Sequence, residues 1–516
     1  MFKHLLLLLL ALGQISSIFS QTSELDLSFG TGGKAFFNLD GSSRAMCVAF
    51  QPDGKLLVAG KRTDSLGYQP IYLLRLHPDG SLDNSFADNG ILATPVENSG
   101  NASEHLMKLQ PDGKIVVAGF IETNGDPATA VARFLPDGTA DPSFGNGGLA
   151  VVNVDAVDDR EAAYSVAVQP DGKIIAAGAS SAVPFDSDYT LVRFMPDGSL
   201  DAGFGTGGIV RTLLPNSYDN IWHVLVQPDG KLLTTGYTSY LFGFKRTMRR
   251  YHADGSLDLG FGTNGSLTNA SDNGAAFLNS LAVQPDGKIL RAAVNFKPSG
   301  TGLQMDVDRF LPNGQKDNSF GTNGRFTYND NNLDADGAMA LQPDGKVLVV
   351  ARNSQDKTIT LFRLLENGSI DQGFGNNGYA SHLISTSFNP VTMQLDEYLR
   401  IVVVGGTGFS IARFGTAPSG AEERASLLGN LAVYPNPATG AVRLDYNLAK
   451  ATEVAIVLHD AFGRQMKTVL HPVARPAGPG SEWVDLGGLP NGVYYFAIVA
   501  EQERGVVRVV VEYTAR

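Results

Sequence analysis

The sequence predicts an all-β fold made of repeated four-stranded units followed by a smaller β-rich domain, and three observations support this prediction. The 516 residues include 59 glycines and 25 prolines, which favours many turns and short strands over long helices. Two short strings recur along residues 24–415. The composition then changes, and a different series of alternating apolar residues fills the C-terminal part.

The two strings each occur seven times and define the repeat. Gln-Pro-Asp-Gly-Lys has six regularly spaced copies and a degenerate seventh, which start at Gln51, Gln110, Gln169, Gln227, Gln284, Gln342 and Gln394. Leu-Asp-x-x-Phe-Gly and its variants place their aromatic residue at Phe29, Phe86, Phe144, Phe204, Phe261, Phe320 and Phe374. Because proline presets φ, aspartate bonds the backbone ahead and glycine accepts a positive φ, the first string predicts a tight turn.

Each repeat contains four strand-like segments. In the third repeat these are residues 164–169, 173–178, 190–195 and 209–213, which we name strands a, b, c and d. Short β-rich segments joined by such turns predict a four-stranded antiparallel sheet. Four strands in a repeat of about 58 residues are typical of one blade of a β-propeller.

The order of strands at the two ends of the repeat region predicts a closed ring. The region begins with a d-type strand, residues 33–39, and ends with a c-type strand, residues 409–414. Pairing these two strands would complete the last blade without a covalent link. We therefore predict a seven-bladed β-propeller over residues 21–415, closed by an N-terminal strand. An open solenoid is the alternative, and it leaves this order of strands unexplained.

An arginine in strand c and an aspartate in the c–d loop recur in every repeat. The arginines are Arg75, Arg133, Arg193, Arg250, Arg309, Arg363 and Arg413, and the aspartates are Asp26, Asp83, Asp141, Asp201, Asp258, Asp317 and Asp371. Because a guanidinium fork holds a carboxylate and loop carbonyls in a set geometry, we interpret these residues as structural staples of the c–d loop. A repeated anion-binding ring is the alternative interpretation. The seven phenylalanines are predicted to pack between blades.

The N-terminal residues predict that the protein is exported, and the net charge argues against one class of partner. A basic start at Lys3 and an apolar run over residues 5–12 predict a signal peptide, residues 1–20. No other apolar stretch is long enough for a membrane helix. The formal net charge of -12 argues against nucleic-acid binding. The single cysteine, Cys47, lies in an apolar run, so we expect a buried thiol and no disulfide.

The two faces of the predicted ring differ in how much their loops vary. The a–b and c–d turns repeat almost unchanged, whereas the b–c and d–a loops differ in length and chemistry, so we expect ligand binding on the second face. Aromatic side chains there could stack on a sugar ring or on a protein partner. The candidate residues are His105, Tyr164, Trp222, Tyr237, Tyr240 and Phe242. Ordinary loop packing is the alternative for each of them.

No motif in the sequence identifies a catalytic, cofactor-binding or metal-binding site. The histidines are scattered, and no nucleophile elbow lies between a strand and a helix. Residues 330–337 resemble a calcium loop but lack its bidentate glutamate, so an acidic solvated loop is favoured. The leading hypothesis is therefore a binding scaffold that is not an enzyme and needs no cofactor.

Two other hypotheses stay open. Paired carboxylates on the variable face could hydrolyse a polysaccharide, and the acids in these loops are Asp158, Asp159, Glu161, Asp186, Asp188, Asp330 and Asp334. A purely structural role at the cell surface would need neither paired acids nor an aromatic patch.

The C-terminal part has its own pattern. Residues 416–430 read as a linker, and alternating strands over residues 431–516 predict a small β-sandwich. Tyr434-Pro-Asn-Pro437, Asp460-Ala-Phe-Gly-Arg464 and Leu489-Pro-Asn-Gly-Val-Tyr494 occur in order before a final strand. These pieces resemble the type IX secretion C-terminal sorting domain of Bacteroidota. The resemblance implies that the type IX secretion machinery is a partner and that the protein is secreted or attached to the outer cell surface.

The repeats have a resemblance of their own. Gln-Pro-Asp-Gly-Lys with Asp-x-Ser-Phe-Gly, at steps close to 60 residues, is similar to the delta-60 repeat family. This resemblance covers residues 24–415 and implies a propeller without an established activity. The ligand, a glycan or a protein, is left open.

Overall fold

The protein divides into two compact units, residues 1–416 and residues 417–516. The computed structural model describes residues 23–39, 42–51, 53–65, 67–98, 105–123, 126–154, 161–183, 186–213, 217–240, 243–268, 280–297, 299, 302–330, 332–415, 428–436, 438–448, 450–460, 465–490, 492–500 and 503–511. All regular secondary structure in these residues is β-strand, so the fold is all-β. No helix in these ranges has the length and hydropathy that a membrane span requires. The predicted signal peptide lies outside the described residues.

Strands of the first unit pair in consecutive groups of four. After β1 (Lys34–Phe37), the first group is β2 (Ser42–Phe50), β3 (Leu56–Thr63), β4 (Pro70–Leu76) and β5 (Ile91–Glu97). The second is β6 (Met107–Leu109), β7 (Ile115–Thr123), β8 (Asp126–Phe134) and β9 (Leu149–Val152), and the third is β10 (Ala162–Val168), β11 (Ile174–Val183), β12 (Asp186–Phe194) and β13 (Ile209–Thr212). The fourth is β14 (Tyr218–Val226), β15 (Leu232–Tyr240), β16 (Gly243–Tyr251) and β17 (Ser266–Thr268).

The later groups repeat this arrangement. The fifth is β18 (Ser280–Val283), β19 (Ile289–Phe296), β20 (Leu303–Phe310) and β21 (Arg325–Tyr328). The sixth is β22 (Leu333–Leu341), β23 (Val347–Asn353), β24 (Ile359–Leu364) and β25 (Tyr379–His382). The seventh is β26 (Pro390–Leu395), β27 (Ile401–Gly405) and β28 (Phe409–Phe414), completed by β1. Within each group neighbouring strands are antiparallel, and the four segments predicted in the third repeat correspond to β10–β13.

The N-terminal strand is the d strand of the seventh group. β1 pairs antiparallel with β28, in a register that sets Lys34 opposite Ala412 and Phe37 opposite Phe409. The seventh group also contacts the first, because the Gly408 N–H donates to the Ser43 carbonyl at 2.8 Å. The two ends of the repeat region therefore meet in one sheet.

One contact set recurs in every group, and most of its arginines also donate to a carbonyl in the next group. Nε of Arg75 donates to Oδ2 of Asp83 at 2.7 Å, and Nη1 donates at 2.7 Å to the Pro136 carbonyl in the following group. The guanidinium carbon lies 4.7 Å from the centre of the Phe86 ring. The same Nε-to-Oδ2 bond joins Arg133 to Asp141, Arg193 to Asp201, Arg250 to Asp258, Arg309 to Asp317, Arg363 to Asp371 and Arg413 to Asp26. The predicted structural role of these residues is confirmed.

The lysine of the turn string adds a second cation to each aspartate. Lys55 Nζ lies 3.2 Å from Asp83 Oδ2. Although burial opposes it, hydrogen bonds from Ser85 and the charges of Lys55 and Arg75 hold the pKa of Asp83 well below its usual range. The degenerate seventh copy has no lysine at this position. Arg400 replaces it there, with Nη1 3.3 Å from Asp26 Oδ2.

A β-bulge interrupts strand a in several groups. The register shifts between Ala163 and Ser165 in the third group and between Ile221 and His223 in the fourth, so Tyr164 and Trp222 have no residue opposite them. An extra residue of this kind bends the strand and re-aims the side chain. In the fourth group the facing position on strand b is Gly236. Only glycine fits there, because a Cβ at Gly236 would lie 1.8 Å from the Asn220 carbonyl oxygen.

The second unit contains two sheets that share one apolar core. Its strands are β29 (Leu428–Tyr434), β30 (Ala441–Leu448), β31 (Thr452–Asp460), β32 (Gln465–Arg475), β33 (Gly478–Asp485), β34 (Gly492–Ala500) and β35 (Glu503–Val511). The sheet orders are β29-β30-β33 and β32-β31-β34-β35. Leu444 from the first sheet and Phe496 from the second belong to the same buried cluster. β29 starts at Leu428, inside the segment predicted as a linker.

Candidate ligand-binding face

Three of the six candidate residues form an aromatic row. The ring of Trp222 lies between those of Tyr164 and Tyr237, with centroid distances of 5.1 Å and 5.9 Å. The interplanar angles are 36° and 30°, so the Trp222 ring is tilted against Tyr164 and stacked on Tyr237. Each of the three side chains is half-buried. The three rings therefore pack against one another while each keeps part of its aromatic surface in solvent.

Local backbone features position this row. Tyr164 and Trp222 are the bulge residues of neighbouring strands, β10 and β14, and so occupy equivalent places in consecutive groups. Tyr237 lies on β15 opposite Asn220, whose Nδ2 donates to the tyrosine hydroxyl at 2.7 Å. Because this bond ties the ring to strand a, Tyr237 stays beside Trp222. Sequence reasoning missed Asn220, which only the cross-strand register brings to Tyr237.

His105 belongs to a different contact. Its ring stacks on that of His223, with centroids 3.4 Å apart and an interplanar angle of 13°. His223 is buried, and His105 is half-buried. Burial lowers the pKa of both imidazoles well below the usual value, and the nearby Lys108 lowers it further. The two rings therefore stack as neutral groups. His223 was not among the predicted site residues, although it follows Trp222 directly.

The other two candidates cannot be placed against the row. Tyr240 ends β15, and its backbone pairs with Gly243 at the start of β16. Phe242 and the side chain of Tyr240 lie outside the described residues. For the b–c loop of the fourth group, the structure describes the flanking strands, β15 and β16.

Most of the variable-loop acids whose side chains are described form hydrogen bonds or ion pairs within the protein. Glu161 accepts the Thr129 N–H at 2.8 Å through Oε1 and the Val154 N–H at 2.9 Å through Oε2. Asp188 pairs with Arg211 at 2.7 Å. Asp158, Asp159 and the side chain of Asp186 lie outside the described residues. Glu161 and Asp188 therefore hold neighbouring segments of the chain together.

The calcium-like segment uses its carboxylates in the same way. Asp334 pairs with Arg352, and Asp336 pairs with Arg44 at 3.2 Å. Asp330 accepts an Asn353 amide hydrogen at 2.9 Å. Among the residues with described positions, no three His, Cys, Asp or Glu side chains converge as metal ligands. The acids of this segment thus separate toward different partners.

The single cysteine is a core residue. Cys47 is buried, and its Sγ lies 3.8 Å from the Met107 carbonyl oxygen in the next group. The prediction of a buried thiol is confirmed.

Comparison with known families adds to this geometry. Five segments match the family described as domain of unknown function (DUF5122) beta-propeller: residues 51–86, 110–144, 169–204, 227–261 and 342–374. Each segment starts at the glutamine of the turn string and ends at the recurring phenylalanine. The chain carries DUF5122 β-propeller repeats.

The C-terminal unit matches a second family. Residues 432–512 match the secretion system C-terminal sorting domain, which spans nearly all of β29–β35. This match supports interaction with the type IX secretion machinery. The protein is therefore secreted or attached to the outer cell surface.

Three solved structures illustrate the weak similarity of this chain to known structures. A glucose dehydrogenase has 13% sequence identity and a TM-score of 0.36, covering 74% of this chain and 99% of its own. The polysaccharide lyase Uly1 has 9% identity and a TM-score of 0.40, covering 77% and 93%. The Nup133 β-propeller domain of Vanderwaltozyma polyspora has 10% identity and a TM-score of 0.35, covering 74% and 100%. No curated protein matches the sequence. Likenesses this weak carry no argument about activity.

Proposed function

We propose that this protein is a secreted or surface-attached β-propeller scaffold that binds a glycan through the aromatic row Tyr164–Trp222–Tyr237. The half-buried, neighbouring rings of the row are the observation that supports this proposal. A sugar ring has apolar faces and a rim of hydroxyl groups. The exposed parts of the three rings offer apolar surface, and the Tyr237 hydroxyl and Asn220 amide lie beside it.

The scaffold itself is proposed to be a seven-bladed ring. Each group of four strands would be one blade, and β1 would close the ring by completing the seventh. The contacts from strand-c arginines to the next group support this arrangement, because Arg413 in the seventh group donates to the Pro78 carbonyl in the first. A ring of this kind removes exposed sheet edges and gives the loops a rigid base.

The two ends of the chain are proposed to serve export. Residues 1–20 would be a signal peptide, residues 416–430 a linker, and residues 431–516 a small β-sandwich that acts as the sorting domain. The shared core of the two C-terminal sheets supports the sandwich. We also propose that the repeats are of the delta-60 type and that the protein is of the Bacteroidota kind.

The enzymatic alternative has less support. A retaining or inverting glycosidase needs two carboxyl groups that face a substrate across a cleft. Both oxygens of Glu161 accept backbone hydrogens, and Asp188 is held by Arg211. Binding without turnover therefore fits the described side chains better, and a protein ligand or a purely structural role are the other outcomes of the test.

A glycan array followed by calorimetry tests the proposal. We expect the purified full chain to bind at least one glycan without changing its mass. Trp222→Ala should weaken that binding by about tenfold or more, since it removes the central stacking surface. Trp222→Phe should keep most of it. Tyr68→Ala is the matched control, because Tyr68 is 47% exposed in the b–c loop of the first group, which contributes no residue to the row.

The outcomes separate the three hypotheses. Equal binding by Trp222→Ala and the wild type would place the site elsewhere and refute the row. Release of a shortened glycan would support the enzyme. Absence of any glycan binding by the folded chain would refute the glycan proposal and favour a protein ligand or a structural role.

A further inference from the structure

Three large side chains form a straight line across one sheet of the C-terminal unit. The register sets Tyr434 of β29 opposite Arg443 of β30, and Arg443 opposite Trp483 of β33. Trp483 is 72% exposed and Tyr434 is 43% exposed, while the Arg443 side chain is 42% exposed. We call Tyr434, Arg443 and Trp483 the cross-strand row.

The alternation of the strands explains why this row faces away from the core. Val442, Leu444 and Val484 are the sequence neighbours of the row, and all three are buried in the apolar core of the unit. Because successive side chains point to opposite faces of a sheet, Arg443 and Trp483 lie on the outer face. The core therefore does not need the exposed indole, which is a costly group to leave in water.

Hydrogen bonds hold the arginine between the two rings. Nε of Arg443 donates to Asp445 Oδ1 at 2.7 Å and to Ser481 Oγ at 2.8 Å. The Tyr434 hydroxyl also donates to Asp445. These bonds use one side of the guanidinium, and no described residue accepts a bond from its two terminal nitrogens. A carboxylate flanked by apolar groups would complement this fork and the rings on either side of it.

We propose that the cross-strand row is the surface of the sorting domain that the secretion machinery recognises, through an apolar protein segment that carries a carboxylate. The match to the sorting domain covers residues 432–512 and so includes all three residues. Trp, Tyr and Arg are the residue types that dominate the energy of protein interfaces. This proposal rests on the sorting-domain match and not on glycan binding by the propeller, so either proposal can fail without the other.

Export of the full chain in a bacterium that has the type IX machinery tests the row. Trp483→Ala and Arg443→Gln should each reduce the fraction of protein on the surface and in the medium by about tenfold or more, with the chain retained in the periplasm. Trp483→Phe should restore most of the export because it keeps an aromatic face. Val473→Ala is the control, since Val473 is an exposed apolar residue on β32 of the other sheet.

Thermal unfolding of each purified variant separates recognition from folding. Loss of export at an unchanged melting temperature supports the proposal. If Trp483→Ala lowers the melting temperature, Arg443→Gln decides, provided that its own melting temperature is unchanged, because it removes the guanidinium of a partly exposed side chain and leaves both rings in place. Normal export of both variants overturns the proposal. Normal export combined with a loss of glycan binding by Trp483→Ala also overturns it, because the row would then be a carbohydrate site.

Discussion

Replacing Arg413 with alanine should release the N-terminal strand β1 from the seventh group. Arg413 is 2% exposed, and its Nε donates to Asp26 Oδ2 at 2.8 Å. Its guanidinium carbon lies 4.5 Å from the centre of the Phe29 ring, and Nη1 binds the Pro78 carbonyl. Asp26 and Phe29 directly precede β1, and 387 residues separate Asp26 from Arg413 along the chain. This one side chain thus ties the beginning of the repeat region to its end.

The structure sets the expected magnitude. Removing one partner of a buried ion pair costs about 3–5 kcal/mol of folding free energy, because the other charge is left in the interior. Asp26 keeps Arg400 at 3.3 Å and the Ser28 hydrogen bonds, so its charge stays partly compensated. We therefore expect a loss of about 3 kcal/mol, at the low end of this range. That free energy corresponds to an increase of about 150-fold in local opening of β1.

Hydrogen exchange read by mass spectrometry measures this opening directly. Peptides that cover β1 should exchange about 150-fold faster in Arg413→Ala than in the wild type. Arg309→Ala is the matched control, because Arg309 makes the same contacts with Asp317 and Phe320 within a continuous stretch of chain. Its β1 peptides should exchange as in the wild type. Equal effects of the two variants on β1, or no effect of Arg413→Ala, would refute the reasoning.

Two further predictions concern a glycine of strand b and the stacked histidines. Gly178→Ala should lower the free energy of unfolding by about 3 kcal/mol in urea titrations, because a Cβ there would lie 1.9 Å from the Ala162 carbonyl oxygen. Gly203→Ala is its control, since the nearest atom to that Cβ is 3.3 Å away; a similar loss in both would contradict the argument. The stacked His105 and His223 have lowered pKa values in the folded protein. Below about pH 6.5 the unfolded chain therefore binds more protons than the folded chain. The free energy of unfolding should decrease there by up to about 1.4 kcal/mol per pH unit for each histidine. In urea titrations at several pH values, His223→Gln should make the free energy of unfolding fall less steeply between about pH 6.5 and 5. If the free energies of the variant and the wild type fall in parallel, the stacked pair is not the cause of the decline.

The recurring residues show how much of the structure can be predicted from the repeat alone. A residue that returns in every unit has the same surroundings in every unit, so the structural role of the strand-c arginines and loop aspartates could be predicted without coordinates. The degenerate seventh copy shows the limit of that reasoning. Its turn string lacks the lysine, yet Arg400 reaches the same aspartate position. The distance of five residues from Arg400 to Gly405, equal to that from Lys55 to Gly60, is the sequence signal that identifies the substitution.

The candidate site was predictable in part. Tyr164 and Trp222 were selected because they hold the same place before the turn string, and the structure brings their rings together. The pairing of His105 with His223 was not predictable, because they hold different places in the repeat and come from groups that are not neighbours along the chain. A bulge shifts the register by one residue, and a single-residue shift exchanges the two faces of a strand.

The sequence by itself determined the β-rich class of this protein, the four-strand repeat and the export address of its C-terminal unit. Each of these depends on local patterns, namely turn residues, alternation and short motifs, which contacts between distant residues do not alter. Only the tertiary structure decided which side chains meet between strands: the partner of His105, and the alignment of Tyr434, Arg443 and Trp483. These contacts depend on strand register and bulge position, and small differences in packing free energy select both.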